Sequence, residues 1–247
     1  MNITFEYCDG PSVAAKHLAE QLEIKNLQIS LAESCTGGLV AALMTQIQGI
    51  SQRLCGSAVT YQESIKQNWL EIDTELITRH SAVSPQVTQA MAAAVLGKTP
   101  DADLAAAITG YLDPPVPDLR LDYDSESNVN GGQEYQSSDL GDSHCYISIA
   151  LRDKLICANP DIPTPCISTI AAKGFSLTAQ NRCARQFEAA EKTLLLISEL
   201  LTTGEPRHQP LAKDDAIGSV PFKPENARSS IQIPGVCKTC QVNEGRN

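Results

Sequence analysis

Leu27-Gln28-Ile29-Ser30-Leu31, followed by Ala32-Glu33-Ser34-Cys35-Thr36-Gly37-Gly38, decides how this chain is read. The first five residues alternate apolar and polar, which predicts a half-buried strand. Thr36 is placed to cap a helix, and Leu39, Val40, Leu43, Met44 and Ile47 then recur on one helical face. A strand that hands over to a helix through two glycines sets free N–H groups and the positive helix end beside a hydroxyl and a thiol. Ser34 is therefore a candidate nucleophile beside its own oxyanion hole at Thr36, Gly37 and Gly38. Cys35 is a rival, intrinsically better when ionised, and a reading in which Ser34 and Thr36 only cap the helix stays open.

Working outward, Val13, Leu18, Leu22 and Ile24 predict an opening helix after Pro11 that ends near Asn26. Ser57 to Tyr61 reads as a second strand. Ser84 and Pro85 supply an N-cap and a first-turn proline for a helix carrying Val87, Ala90, Met91, Ala94 and Val95. Leu104 to Thr109 is a buried strand, and Cys145 to Leu151 another, with Leu155 to Cys157 as its hairpin partner. Ala184, Phe187, Ala190, Leu194, Ile197 and Leu201 mark a long amphipathic closing helix. Alternating helices and strands predict an α/β domain, with helices covering a mixed sheet.

The chain has 247 residues, 42% of them hydrophobic, and a formal charge of -10. That charge excludes binding to nucleic acid by neutralising many phosphates, and no apolar run is long enough for a membrane span. No signal peptide is visible either, so the protein is expected in the cytoplasm. From 113 to 143 eight acids face one base, Arg120, among Pro, Ser, Asn and Gly, which predicts a mobile acidic insertion in a domain of residues 1–202. Residues 203–247, rich in proline and without apolar period, read as an extended tail. The nine cysteines are odd in number and lie mostly alone, as buried thiols in a reducing compartment do. Only Cys237 and Cys240 form a C-x-x-C pair, and neither they nor the four histidines have the spacing of a metal site.

A serine nucleophile needs a base. Lys66, just past the second strand, is a candidate, since a desolvated lysine can take a proton from serine; a solvated surface charge is its bland reading. Thr109-Gly110 ends the third strand, where α/β sheets place their ligand crevice, so the pair either lines the same pocket or simply turns the chain.

Four ordered blocks carry a resemblance: A-E-S-C-T-G-G-L at 32–39, G-S-A-V-T-Y-Q-E-S-I-K at 56–66, H-S-A-V-S at 80–84 and A-A-I-T-G at 106–110. Together they resemble the C-terminal domain of the CinA (competence-damage-inducible) family, which also occurs alone as nicotinamide mononucleotide deamidase. The resemblance implies a three-layer α/β/α domain, a homodimer or higher homo-oligomer, and hydrolysis of the nucleotide's carboxamide to nicotinate mononucleotide and ammonia, with no metal or other cofactor. It places a Ser-Lys dyad on Ser34 and Lys66, with Tyr61 orienting the lysine or stacking near the pyridine ring. It places a phosphate-binding arginine on Arg182, or on Arg185 under a small shift. The family reads T-G-I-A-G-P after the third strand, whereas Thr109-Gly110-Tyr111-Leu112-Asp113-Pro114 lacks the second glycine and brings bulk and a negative charge. A non-catalytic member that binds a nucleotide or a protein is the alternative, and a zinc or redox module at Cys237 and Cys240 a third.

Overall fold

The sheet is mixed, with strand order β2-β1-β3-β4-β5. The computed structural model describes residues 9–113, 143–152 and 167–203. Its strands are β1 (Ile29–Glu33), β2 (Leu54–Val59), β3 (Leu104–Tyr111), β4 (His144–Arg152) and β5 (Ile167–Ser176). Its helices are α1 (Asp9–Lys25), α2 (Leu39–Thr45), α3 (Glu63–Leu70), α4 (Thr74–His80), α5 (Pro85–Lys98) and α6 (Arg182–Thr203), with one 3-10 turn at Ile50–Gln52. β1 pairs in parallel with both β2 and β3, while β4 runs antiparallel to β3 and β5.

Period two along the strands builds the three layers. Ile29 and Leu31 of β1, with Leu104 and Ala106 of β3, face one way and pack under Leu18 and Leu22 of α1, Val40 and Met44 of α2, and Leu194 and Ile197 of α6. Ala32, Ala105, Ala107 and Ala150 face the other way, and these small side chains meet Val87, Met91 and Leu96 of α5 with Leu70 of α3 and Ile77 of α4. β1 is buried at every position, as a central strand covered on both faces must be.

The ends of α5 are set by side chains. The Ser84 hydroxyl accepts from the Val87 amide at its start, as the sequence predicts. At the other end the Arg152 guanidinium of β4 donates to the Leu96 carbonyl in the last turn and to those of Thr99 and Ala102 just beyond it, which ties the helix end to the sheet.

Some local expectations shift. β1 extends to Glu33 and β2 ends at Val59, so Thr60 and Tyr61 belong to the turn into α3. Thr36 does not cap α2; Gly38 holds that position with φ 97°, in the left-handed region that glycine tolerates. β5 and the short helices α3 and α4 add to the predicted set. Leu155 to Cys157, the acidic stretch 114–142, the tail from 204 and the Cys237/Cys240 pair lie outside the described residues. No helix among the described residues is long and apolar enough to cross a membrane.

Candidate active site

The carboxyl ends of the three parallel strands converge, and each contributes to one cluster. Ser34 follows β1 directly, its amide donating to the Ile108 carbonyl of β3 at 3.1 Å. The turn after β2 is pinned by the Thr60 amide on the Glu33 carbonyl at 2.8 Å, and α3 then carries Lys66 back under the sheet end.

Lys66 is only 1% exposed. Its Nζ lies 3.0 Å from Ser34 Oγ, 2.6 Å from the Thr60 carbonyl oxygen and 3.3 Å from that of Tyr61. None of the three partners is anionic, and burial holds the lysine below its ordinary pKa against weaker opposing effects of Cys35 and Glu63. The inventory fits either protonation state. An ammonium donates to all three oxygens, whereas a neutral amine donates to the two carbonyls and presents its lone pair to the Ser34 hydroxyl hydrogen.

The rival nucleophile is disfavoured by the same burial. Cys35 is buried, and desolvation pushes its thiol up to about 12, so near neutrality it is a thiol and not a thiolate.

Glu33 organises the serine turn. Its buried carboxylate accepts from the Val40 and Ala41 amides at 3.0 Å each, from the Thr36 hydroxyl at 2.8 Å and from the Ser57 hydroxyl at 2.9 Å. The first free amides of α2 are thus occupied by an internal carboxylate, and the helix end offers them to no outside anion. Sequence reasoning missed Glu33, although its phase with Ile29 and Leu31 marks it for the buried face. Gln186 of α6, also missed, donates to the Thr36 carbonyl at 2.8 Å and ties α6 to this turn.

A cavity of about 280 Å³ opens beside Ser34, lined also by Cys35, Tyr61, Gly110, Asp113 and Arg182 among others. Lys66 stands behind Ser34, outside that lining. Thr36, Gly37 and Gly38 do not line it; the Gly37 amide donates to the Ser34 carbonyl, and the Leu39 amide to that of Thr36. Thr109 is buried with its hydroxyl 2.7 Å from that of Thr88, a tie between β3 and α5 that holds it away from the cavity. Gly110 lines the cavity, and a Cβ there would come within 2.5 Å of the His144 carbonyl oxygen, so the close approach of β4 requires glycine.

Tyr61 is 58% exposed at the mouth. Its hydroxyl accepts from Arg182 at 3.1 Å, so the phenol is held by α6, and it is the Tyr61 backbone carbonyl that meets Lys66. Asp113 receives Arg182 at 2.7 Å on one carboxylate oxygen and Arg185 at 3.0 Å on the other.

Comparison with known proteins finds relatives of the segment that carries this site. The family model of the CinA C-terminal domain matches residues 12–117, the span that contains Ser34, Tyr61 and Lys66. Residues 12–117 are therefore similar to the CinA C-terminal domain. The chain is 41% identical over 109 residues to a CinA-like protein of Colwellia psychrerythraea (strain 34H), a match covering 44% of this chain and 25% of the relative. It is 44% identical over 104 residues to a CinA-like protein of Prochlorococcus marinus (strain MIT 9312), covering 42% and 23% respectively. The chain thus matches about a quarter of the length of these relatives. Among solved structures, competence damage-inducible protein A from Klebsiella pneumoniae superposes with a TM-score of 0.60 at 22% identity, covering 78% of this chain and 98% of that one. Competence/damage inducible protein CihA from Agrobacterium tumefaciens gives 0.57 at 21% identity, covering 77% and 95%. The three-layer fold is therefore shared with these two structures.

Proposed function

We propose that this CinA-like domain is an amidohydrolase that uses Ser34 as nucleophile and Lys66 as general base, on the carboxamide of nicotinamide mononucleotide. The observation that carries the reading is the 3.0 Å approach of a buried lysine, free of anionic hydrogen-bond partners, to a serine hydroxyl at the wall of a cavity. Neutral Lys66 takes the Ser34 proton as Oγ bonds to the amide carbon. The oxyanion is assigned to the amide of Cys35, the residue that follows Ser34 on the cavity wall. The C–N bond then breaks as the Lys66 ammonium returns its proton to the leaving nitrogen, giving ammonia and an acyl-serine. A water, deprotonated by Lys66, cleaves the ester to release nicotinate mononucleotide and restore Ser34. The aromatic face of Tyr61 at the mouth suits the pyridine ring. A homo-oligomeric assembly, as the family resemblance implies, and the cytoplasmic location expected from the sequence belong to the same proposal.

Ammonia release from nicotinamide mononucleotide by the purified protein tests it, with Ser34→Ala and Lys66→Ala in parallel. Release by the wild type should fall on the order of 10^4-fold or more in each variant, because nucleophile and base act as a unit. Release that persists in folded Ser34→Ala, or none from the folded wild type, overturns the assignment.

A further inference from the structure

Arg182 at the cavity mouth and Arg185 one turn further along α6 already hold an anion, and the chain itself supplies it. Arg182 and Arg185, one turn apart at the start of α6, reach the two carboxylate oxygens of Asp113 separately, at 2.7 and 3.0 Å. Arg185 also donates to the Leu112 carbonyl at 2.9 Å, which fixes the backbone beside Asp113, and Arg182 reaches the Tyr61 hydroxyl across the opening. The Nε of Arg185 is buried and has no hydrogen-bond partner among the described residues. Paired guanidiniums are the chemistry that recognises a carboxylate or a phosphate, and here two positive charges face a single negative one.

We propose that Asp113 sets the substrate specificity of this active site: its carboxylate fills the anion position between Arg182 and Arg185, so an amide bearing a phosphate monoester has to displace it and an amide without the phosphate does not. The proposal rests on the amidohydrolase reading above for the reaction itself, and adds which class of amide the mouth admits. A dianionic phosphate approaching the occupied position meets a like charge beside the cations it needs. With Asp113 neutral, both guanidiniums are released to it. Discrimination of this kind acts on binding and appears in KM, since Asp113 stands at the mouth and makes no contact with Ser34 or Lys66.

Asp113→Asn keeps the shape and removes the charge. For nicotinamide mononucleotide and for nicotinamide riboside, kcat/KM is measured in wild type and variant. The ratio of nucleotide to riboside should rise at least tenfold in the variant, about 1.4 kcal/mol, through a lower KM for the nucleotide. Inorganic phosphate titrated calorimetrically into wild type, Asp113→Asn and Asp113→Asn/Arg182→Gln gives a readout that does not depend on turnover. Binding at least tenfold tighter in the single variant than in wild type, and lost in the double, supports the anion position. Ammonia release with an unchanged ratio overturns the role of Asp113 and leaves the amidohydrolase standing. Release from neither amide overturns the amidohydrolase, and phosphate binding equally to wild type and Asp113→Asn overturns the anion position by itself.

Discussion

Lys66 can accept the Ser34 proton only as the neutral amine, so its titration should govern the acid limb of the rate. Burial lowers its pKa from the ordinary lysine value of 10.5, and its nearest partners are a hydroxyl and two carbonyls. The expected outcome is a kcat/KM that rises with pH to a midpoint below 10.5 and loses that limb in Lys66→Arg, whose side chain stays cationic. A midpoint at or above 10.5 would argue for a different base. The sign for stability follows from the same shift. Between the folded and unfolded pKa values the unfolded chain holds the extra proton, so stability rises with pH through that window. Below it the full cost of burying the ammonium is present. Lys66→Met should flatten this dependence, as read from urea midpoints across the window. At this scale the sequence displayed Ser34 plainly in its strand-to-helix turn. That Lys66 reaches it is a contact across 32 residues, decided by how α3 returns under β1.

At the scale of elements, α2 is only seven residues long, too short to be stable on intrinsic propensity. Its start is held by Glu33, and both carboxylate oxygens accept a helix amide, Val40 on one and Ala41 on the other. Glu33→Gln must therefore turn an NH₂ group toward one of those amides whichever way it flips. A loss of about 2–3 kcal/mol is expected from a charged acceptor replaced in a buried network. Urea unfolding measures it, and a loss below about 0.5 kcal/mol, the usual range for a surface change, would remove Glu33 from the role of cap. The sequence pointed to Thr36 as the cap because a hydroxyl precedes the apolar period. The carboxylate three residues earlier won because period two aims it at the same face as Leu31, toward α2. Elements with a clean period and a cap of their own, such as α5 behind Ser84 and Pro85, were legible to the residue. β5 was not, since its partly exposed pattern lacks alternation, and only pairing with β4 makes it a strand.

Across the whole molecule, the active site sits where the sheet is most firmly held. β1 lies between β2 and β3, β3 lies between β1 and β4, and both are covered by helices on two faces, whereas β2 and β5 each have one paired edge. The nucleophile thus hangs from the end of a central strand while Tyr61, Arg182 and Asp113 stand at the exposed mouth. Rigid placement of Ser34 against Lys66 is what proton transfer over 3.0 Å needs, and adjustable groups at the mouth are what substrate entry needs. Native-state hydrogen exchange should display this division. Amides of Leu31, Ala32, Ala106 and Ala107 should open only with global unfolding, and those of β2 and β5 through local openings of smaller free energy. Slopes against low denaturant separate the two, because global opening carries the full m-value and local opening little of it. Equal protection of β5 and β3, with equal slopes, would mean that the edge strand belongs to the same cooperative unit, and the rigidity of the Ser34 platform would then have to come from packing around α2 and α6 in place of its central position in the sheet.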